Sequence, residues 1–584
     1  MTPAFRGDVN PVLASDPDRA ANLGMTSRRN FLGQTAALGL ALPAIRVATV
    51  MPRQRSGTFV DIRRPPDLVV VQTDSADLRL ATTGGRFENA DVRVDAETIA
   101  DALRISLTAP RTPIKRVHLR WKSNIDAVRL IVGDAWERGY GDLEWRGFVP
   151  DRVMPWYAAT FDGSTTHAYG VRTGANAMCF WQLDPGGVSL WADVRSGGVA
   201  LQLGERTLTV ADATCRAGHA GESSFAALRA FCKQMCLNPR IPREPIYGSN
   251  DWYWAYGKNS RASVVQDARN IVSLSPTSTN RPYAVIDDGW QPGRGADKSG
   301  AGMWEAGNEK FGGDMQLVAT EMKREGARPG IWYRPLQAPV KAPDSWRLSR
   351  EKNVLDPTVA DVADKISNDI SRIRGWGYEL LKHDYSTFDI YGRWGFQMGS
   401  AMTRDGWSFA SGRGKTTAEV VNELYKTIRT AAGDMAIIGC NTVSHLSAGV
   451  FEICRIGDDT SGAEWSRTRK MGVNTLAFRG VQHGAFYVAD PDCVGVTNAI
   501  PWSLNRQWLD LLASSGTMLF VSLDPSALGA EQKRDLTAAL ALAARTHPVG
   551  EPIGWEHTAW PTSWKLIGKE RRFDWTGGEG AGPG

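Results

Sequence analysis

Tyr283-Ala284-Val285-Ile286-Asp287-Asp288-Gly289-Trp290 is the stretch that decides how this chain folds. Four apolar or aromatic residues in a row read as a strand buried on both faces, and they stop at two carboxylates, a glycine and an indole. The same change of character recurs where Leu381-Lys382-His383 runs into Asp384-Tyr385, and again where Arg455-Ile456-Gly457 runs into Asp458-Asp459. Working outward gives eight short strands: Ile246–Asn250, Tyr283–Ile286, Arg328–Tyr333, Glu379–His383, Ala436–Cys440, Glu452–Ile456, Ala485–Val488 and Met518–Ser522. Amphipathic helices separate them. Thr417 to Ala432, for example, carries Val420, Val421, Leu424 and Ile428 on one face, with Gly433 just past its end. Eight strand-helix units predict a (β/α)₈ TIM barrel over residues 245–546, with an open doubly wound sheet as the rival.

Upstream, residues 57–240 alternate apolar and polar positions between Gly, Asp and Pro turns, as in Val117-His118-Leu119-Arg120-Trp121, Val128-Arg129-Leu130-Ile131-Val132 and Val188-Ser189-Leu190-Trp191. That is the pattern of an N-terminal antiparallel β-sandwich. A helix is expected from about Gly529 to Thr546, then a short C-terminal β module within residues 547–584, whose glycine-rich end from Thr576 is expected to be disordered. Within residues 1–50, Ser27-Arg28-Arg29-Asn30-Phe31-Leu32 leads into an apolar stretch from Ala36 to Ala44 and then Ala48. This resembles a twin-arginine signal and predicts bacterial export to the periplasm or beyond, with Met25 as a second candidate start. No apolar run reaches the length of a stable membrane anchor. Seven dispersed cysteines make no dense disulfide framework and leave at least one thiol free. Cys232 and Cys236 share a helical spacing but have no nearby His to complete a zinc site.

The 584 residues carry 68 basic and 63 acidic side chains, a net charge of +5. So small an excess argues against nucleic acid as a partner. Tryptophan is the outlier at 22 residues, suited either to stacking on sugar rings or to filling sandwich cores.

In a barrel, chemistry belongs at the C-terminal ends of the strands, where Asp287, Asp288, Asp384, Asp458 and Asp459 all fall. One acid after a strand is usually a turn or cap residue; three strand ends carrying acids, two of them doubled, are not explained that way. Spaced carboxylates with aromatic walls suit glycoside hydrolysis, in which an ionised acid attacks the anomeric carbon and a protonated one serves the leaving oxygen. Lys382 points to the same side as Asp384 and favours an ionised neighbour, hence a nucleophile there. Asp458 and Asp459 adjoin, so mutual repulsion is expected to raise one of them into the range of a proton donor, and either qualifies. A metal centre is the rival use of such acids. It usually adds imidazoles, whereas His383 should point away from Lys382 and Asp384 into the barrel wall. Trp252, Trp290 and Trp332 fall at or beside strand ends and are candidate pocket walls, and Lys382 and Arg455 are candidates to steer charge.

These motifs in this order resemble glycoside hydrolase clan D, the α-galactosidase-like enzymes of families 27 and 36, and family 36 more closely. The similarity runs through most of the barrel. Asp287-Asp288-Gly289-Trp290-Gln291 resembles the motif whose aspartates hold the terminal sugar's hydroxyls. Trp304-Glu305, Glu309-Lys310-Phe311 and Gly330-Ile331-Trp332-Tyr333-Arg334-Pro335 are similar to the stretch leading through the third strand. Lys382-His383-Asp384 resembles the Lys-Trp-Asp motif bearing the nucleophile, and Gly439-Cys440-Asn441 the segment lining the sugar pocket. Arg455-Ile456-Gly457-Asp458-Asp459 resembles the segment bearing the acid/base; the offset from Arg455 favours Asp459 over Asp458. Ala489-Asp490-Pro491-Asp492-Cys493 is similar to a supporting segment. His383, Ser386 and Tyr333-Arg334 depart from the usual pattern near the sugar subsite. Gly133 to Asp142 reads equally as a loop reaching the barrel mouth or as a turn between core strands.

The resemblance implies an exported retaining α-glycosidase, most simply an α-galactosidase-type exo-hydrolase working through a glycosyl-aspartate without a cofactor. Its partner would be an oligosaccharide or glycoside substrate, and a homo-oligomer is compatible with the sequence. The alternatives are a related specificity (α-N-acetylgalactosaminidase or β-L-arabinopyranosidase), a transglycosylase, and a non-catalytic carbohydrate-binding protein.

Overall fold

The computed structural model describes residues 57–295 and 302–577, which belong to one compact unit. The twin-arginine pattern and the chain after Gly577 lie outside the described residues. Residues 68–216 supply two antiparallel sheets of six and eight strands. Strand Ile114–Lys122 explains why such segments are strands: Val117, Leu119 and Trp121 are buried, while the residues between them are at least partly exposed. It is paired on both sides, with Leu68–Thr73 and Gly187–Asp193. Apolar side chains of both sheets join one core, in which Tyr169 of one sheet meets Trp181 of the other at 6.4 Å between ring centres. Trp121 and Trp181 are fully buried there, which accounts for part of the tryptophan excess.

After a helix at Ser224–Met235 the pattern changes to a single nine-stranded parallel sheet. Its strands are β1 (Tyr247–Asn250), β2 (Tyr283–Ile286), β3 (Arg328–Tyr333), β4 (Leu380–His383), β5 (Ala436–Gly439), β6 (Ile453–Arg455), β7 (Val488–Asp490), β8 (Cys493–Val496) and β9 (Leu519–Leu523). Their order is β7-β6-β5-β4-β3-β2-β1-β9-β8. The two edge strands, β7 and β8, are separated only by Pro491 and Asp492, so the sheet curls until its edges are two residues apart. The Met518 amide donates to the Ala489 carbonyl at 3.4 Å across that gap. Ile246, Val285, Leu380, Ile438, Ile453, Val488 and Phe520 form a separate apolar cluster inside the curl. β3 contributes Gly330, where a Cβ would come within 2.8 Å of Val285 and 3.1 Å of Leu380.

The other predicted strands lie within a residue or two of those observed, but the seventh is displaced. The expected segment is Ala485–Val488; Ala485 and Phe486 instead lie in a turn, Tyr487 bridges back to His483, all three are buried, and pairing with β6 begins at Val488. A proline and Asp492, whose φ is +74°, then split the strand. Proline removes a ladder donor and interrupts the apolar run, so the second half carries no continuous strand signal of its own. The helix Thr417–Ala432 forms as read, with Thr416 and Glu419 making a capping box and Gly433 its C-cap. A helix at Ala530–Ala543 and a three-stranded sheet of Glu551–Ile553, Ser563–Leu566 and Lys569–Arg572 follow. All seven cysteines are buried and unpaired, and no helix among the described residues is long and apolar enough to cross a membrane.

His383 faces the helical layer, as its place between Lys382 and Asp384 predicts. It lies against the rings of Tyr425 and Phe451, with no hydrogen-bond partner on either nitrogen. Burial pushes it down to about 3, and His445, stacked on Trp156, down to about 4. An unfolded histidine titrates near 6.5, so below that pH the unfolded chain binds protons that the folded chain refuses. Stability is therefore full above pH 6.5 and is lost as pH falls toward these lower values. At pH 5 the loss is about 2 kcal/mol for each of the two residues. Denaturant unfolding at pH 7 and pH 5 should show the drop, and His383→Phe should lose clearly less than the wild type. Equal losses in both proteins would contradict this account.

Candidate active site

The alternation that fills the curled sheet with apolar side chains also builds a polar floor. Two residues beyond Val285, Leu380, Ile438 and Ile453, on the same side of each strand, stand Asp287, Lys382, Cys440 and Arg455. Lys382 and Asp287 meet at 2.5 Å, both buried. Burial alone would lower the lysine, but Asp287 more than offsets this and holds it well above the usual range. Asp287 also accepts from Asn250 at 2.7 Å and from the Asp288 amide at 2.8 Å. Behind it is Asp251, which accepts from the Asp287 amide at 2.8 Å; burial and the Asp287 charge push it up to about 7. Asp288 is held by Gln291 at 2.6 Å and is raised by burial, with Asp287 and Asp384 adding to the effect.

Asp384 lies one pleat beyond Lys382 and is only partly buried. Its two oxygens each accept one bond, from the Trp332 indole at 3.0 Å and from the Tyr385 amide at 2.8 Å. Tyr385 has φ +66°, a left-handed conformation rare for a bulky residue, and this strain accompanies the aiming of its amide at the carboxylate. The Arg334 guanidinium lies 4.2 Å above the Tyr385 ring and grips Asp389 with bonds of 3.0 and 2.6 Å. Trp332 is fixed in turn, because Trp290 donates to its carbonyl at 2.9 Å. Trp290 is not a pocket wall. It has no exposed surface and sits between Trp304 and Trp376 at 5.7 and 6.1 Å. Trp252 is partly exposed beside Tyr256, and Trp394 stacks on Phe388 at 4.5 Å, whereas Trp407 is buried against Phe409.

The adjacent acids are distinguished by their partners. Asp458 is clamped by Arg138 at 2.7 Å and by Arg467 at 2.9 Å, one to each oxygen. Asp459 meets Arg455 through one oxygen at 3.1 Å, and its side chain is 39% exposed. The expected elevation by mutual repulsion does not govern Asp459. Burial acts upward, but Arg455, Arg138 and Lys382 outweigh it and hold Asp459 below the usual carboxylate range. Arg455 is itself fixed by Asp490 at 3.2 Å and Asp492 at 2.8 Å.

The stretch from Gly133 to Asp142 does reach this site. Gly139 donates to the Ile456 carbonyl and accepts from the Asp458 amide, both at 2.8 Å. A Cβ at Gly139 would come 2.6 Å from Thr475, so only glycine fits without a shift. Arg479, fully buried, pairs with Asp134 at 2.8 Å and donates to the Glu137 carbonyl at 2.8 Å. The Glu137 carboxylate accepts from Asn441, from Tyr140 and from the Gly395 amide. This corrects the reading of Asn441 as a sugar contact: the residue is fully buried, donates to Glu137 and accepts from the Phe388 amide at 3.0 Å. Cys440 stays on the floor, buried and within electrostatic reach of Asp384, Arg455 and Lys382. Asp251 and Arg467 carry no signal of their own in the sequence, Arg334 is marked there only as a departure near the sugar subsite, and Glu137 and Arg138 only as part of the Gly133–Asp142 stretch. The charged Glu137-Arg138 pair inside an otherwise aromatic and glycine-rich loop was the one available signal.

No protein-family model matches the chain. Two curated relatives match over short stretches. The bifunctional α-galactosidase/sucrose kinase AgaSK of Mediterraneibacter gnavus is 31% identical over 86 residues, 15% of this chain and 9% of the relative. The α-galactosidase of Escherichia coli is 27% identical over 97 residues, 17% of this chain and 13% of the relative. Solved structures match far more of the fold. The α-galactosidase TtGalA of Thermus thermophilus, in complex with p-nitrophenyl α-D-galactopyranoside, is 15% identical with a TM-score of 0.55, over 83% of this chain and 97% of that one. The family 36 α-galactosidase AgaA of Geobacillus stearothermophilus, in complex with raffinose, is 14% identical with a TM-score of 0.54, over 85% of this chain and 79% of that one. The chain thus has the fold of family 36 α-galactosidases, and the resemblance to clan D read from its strand ends stands.

Proposed function

We propose that the chain is a retaining α-glycosidase of the α-galactosidase type, on a (β/α)₈ barrel preceded by a β-sandwich and exported through its twin-arginine segment. The observation that carries this reading is that Tyr385 lies within electrostatic reach of both Asp384, aimed by two donors, and Asp459, which keeps one oxygen open. Asp384 attacks the anomeric carbon as Asp459, in the protonated form that the surrounding cations disfavour, gives its proton to the departing oxygen. Asp459, now ionised, takes a proton from water, and that water's oxygen displaces Asp384 from the sugar. The arginines around Asp459 favour the ionised form that the second step needs. Asp287, anchored by Lys382 and Asn250, and Asp288, anchored by Gln291, accept hydrogen bonds from the sugar's hydroxyls. The two bonds to Asp384 hold it oriented for attack. Asp458, with both oxygens engaged by arginines, supports the site.

The test is a panel of p-nitrophenyl α-D-galactopyranoside, its N-acetylgalactosaminide and glucoside counterparts, and a β-L-arabinopyranoside, with the first-formed anomer read by NMR. The α-galactoside should turn over fastest and release α-galactose first. Release of β-galactose, or binding without turnover of any member, would overturn the reading.

A further inference from the structure

The least expected group beside Asp459 comes from the N-terminal sheets. Arg138 is 6% exposed, 2.7 Å from Asp458 and 4.0 Å from Asp459, and its guanidinium lies 5.5 Å from the Trp394 ring centre. It is held there by the backbone of its own loop, since Gly139 is bonded in both directions to the β6 end and Arg479 ties down Asp134 and Glu137. Building on the function proposed above, we propose that Arg138 is a positioning residue for the acid/base step: a cation delivered by the N-terminal sheets that draws Asp458 away from the reacting bond and sets the charge of Asp459.

Every element packed around Asp459 contributes to its charge balance. Arg455 stands on the same strand end, Lys382 on β4 and Arg467 on the following helix, all positive. Asp458 and Asp492 are the acids alongside. Tyr253, Tyr256 and Tyr385 are phenols within electrostatic reach. Arg455 is shared with Asp490 and Asp492, and Lys382 is committed to Asp287. Arg138 has Asp458 as its nearest acid, with Glu137 and Asp459 both at 4.0 Å, so its charge acts on Asp459 alongside that of Arg455. An opposite charge at this distance lowers a carboxyl by about one pH unit or more.

The experiment follows the Asp459 carboxyl itself by carbon-13 NMR of protein labelled at aspartate, with the resonance assigned from Asp459→Asn. Arg138→Met should raise the Asp459 midpoint by about one pH unit. The alkaline limb of kcat/KM for raffinose should move upward with it. Arg138→Lys, which keeps the charge, should restore most of both. If Arg138 only staples the loop, Arg138→Met will melt earlier and slow turnover equally at every pH while the Asp459 midpoint stays put, which overturns the proposal. Should Arg138→Met not fold, Asp458→Asn supplies the converse: it removes a negative neighbour and frees Arg138, so the Asp459 midpoint should fall, and an unmoved midpoint overturns the proposal. The NMR midpoint needs no turnover, so a wild type that cleaves no glycoside would defeat the functional reading without being confused with failure of this one.

Discussion

Asp384→Asn is expected to cut turnover of p-nitrophenyl α-D-galactopyranoside by about 10⁴-fold or more while the substrate still binds. The amide has nearly the shape of the carboxylate but cannot form the glycosyl ester. It also creates a local conflict. Trp332 and the Tyr385 amide both donate to the carboxylate, and asparagine offers one oxygen where two are needed. One donor therefore faces an NH₂ group, which costs about 1–3 kcal/mol of stability. A lower melting temperature together with lost turnover is the expected pair of results. The smaller Asp384→Gly should accept azide as an external nucleophile and yield the β-azide. Retention of more than about a hundredth of the wild-type rate by Asp384→Asn would remove Asp384 as the nucleophile.

Asp459→Ala should divide substrates by leaving group. A sugar alkoxide cannot depart without a proton, so raffinose cleavage is expected to fall by about 10³–10⁴-fold; p-nitrophenolate departs unaided, and its first step should lose far less. Azide should then speed release of the sugar with retained configuration. Equal losses on both substrates would show that Asp459 is not the proton donor. Asp458→Ala is the useful contrast: it disturbs Arg138 and Arg467, but it should not separate the two substrates.

The sequence carried the parallel strands well wherever four apolar residues ended in a polar group, because burial on both faces and the change to acids at the strand end are both local signals. β7 and β8 lacked the first signal, since Pro491 and Asp492 cut the run in two. The two-residue period puts Lys382 and Asp384 on one side of β4, but it does not show that Lys382 pairs with Asp287 of the neighbouring part of the sheet, which is a contact between distant segments. The behaviour of Asp459 could not be read locally. Its direction is set first by Arg455, which divides its charge among three acids, and then by Arg138, more than three hundred positions away in the chain (459 − 138 = 321), and by Lys382. Trp290 was misplaced for a similar reason: the strand-end position was right, but the side chain turns outward under Trp304 and Trp376. Asn441 was misassigned because its partner, Glu137, arrives from the N-terminal sheets.

The Asp134–Arg479 pair also sets a schedule for biosynthesis. The ribosome makes Asp134 long before the arginine that buries it, 479 − 134 = 345 residues later. At about 5–20 residues per second, the loop that carries Arg138 waits roughly 20–70 s for its clamp. Through that interval the nascent chain holds Asp384 and then Asp459 while the loop beside Asp458 and Asp459 still lacks the arginine that ties it down.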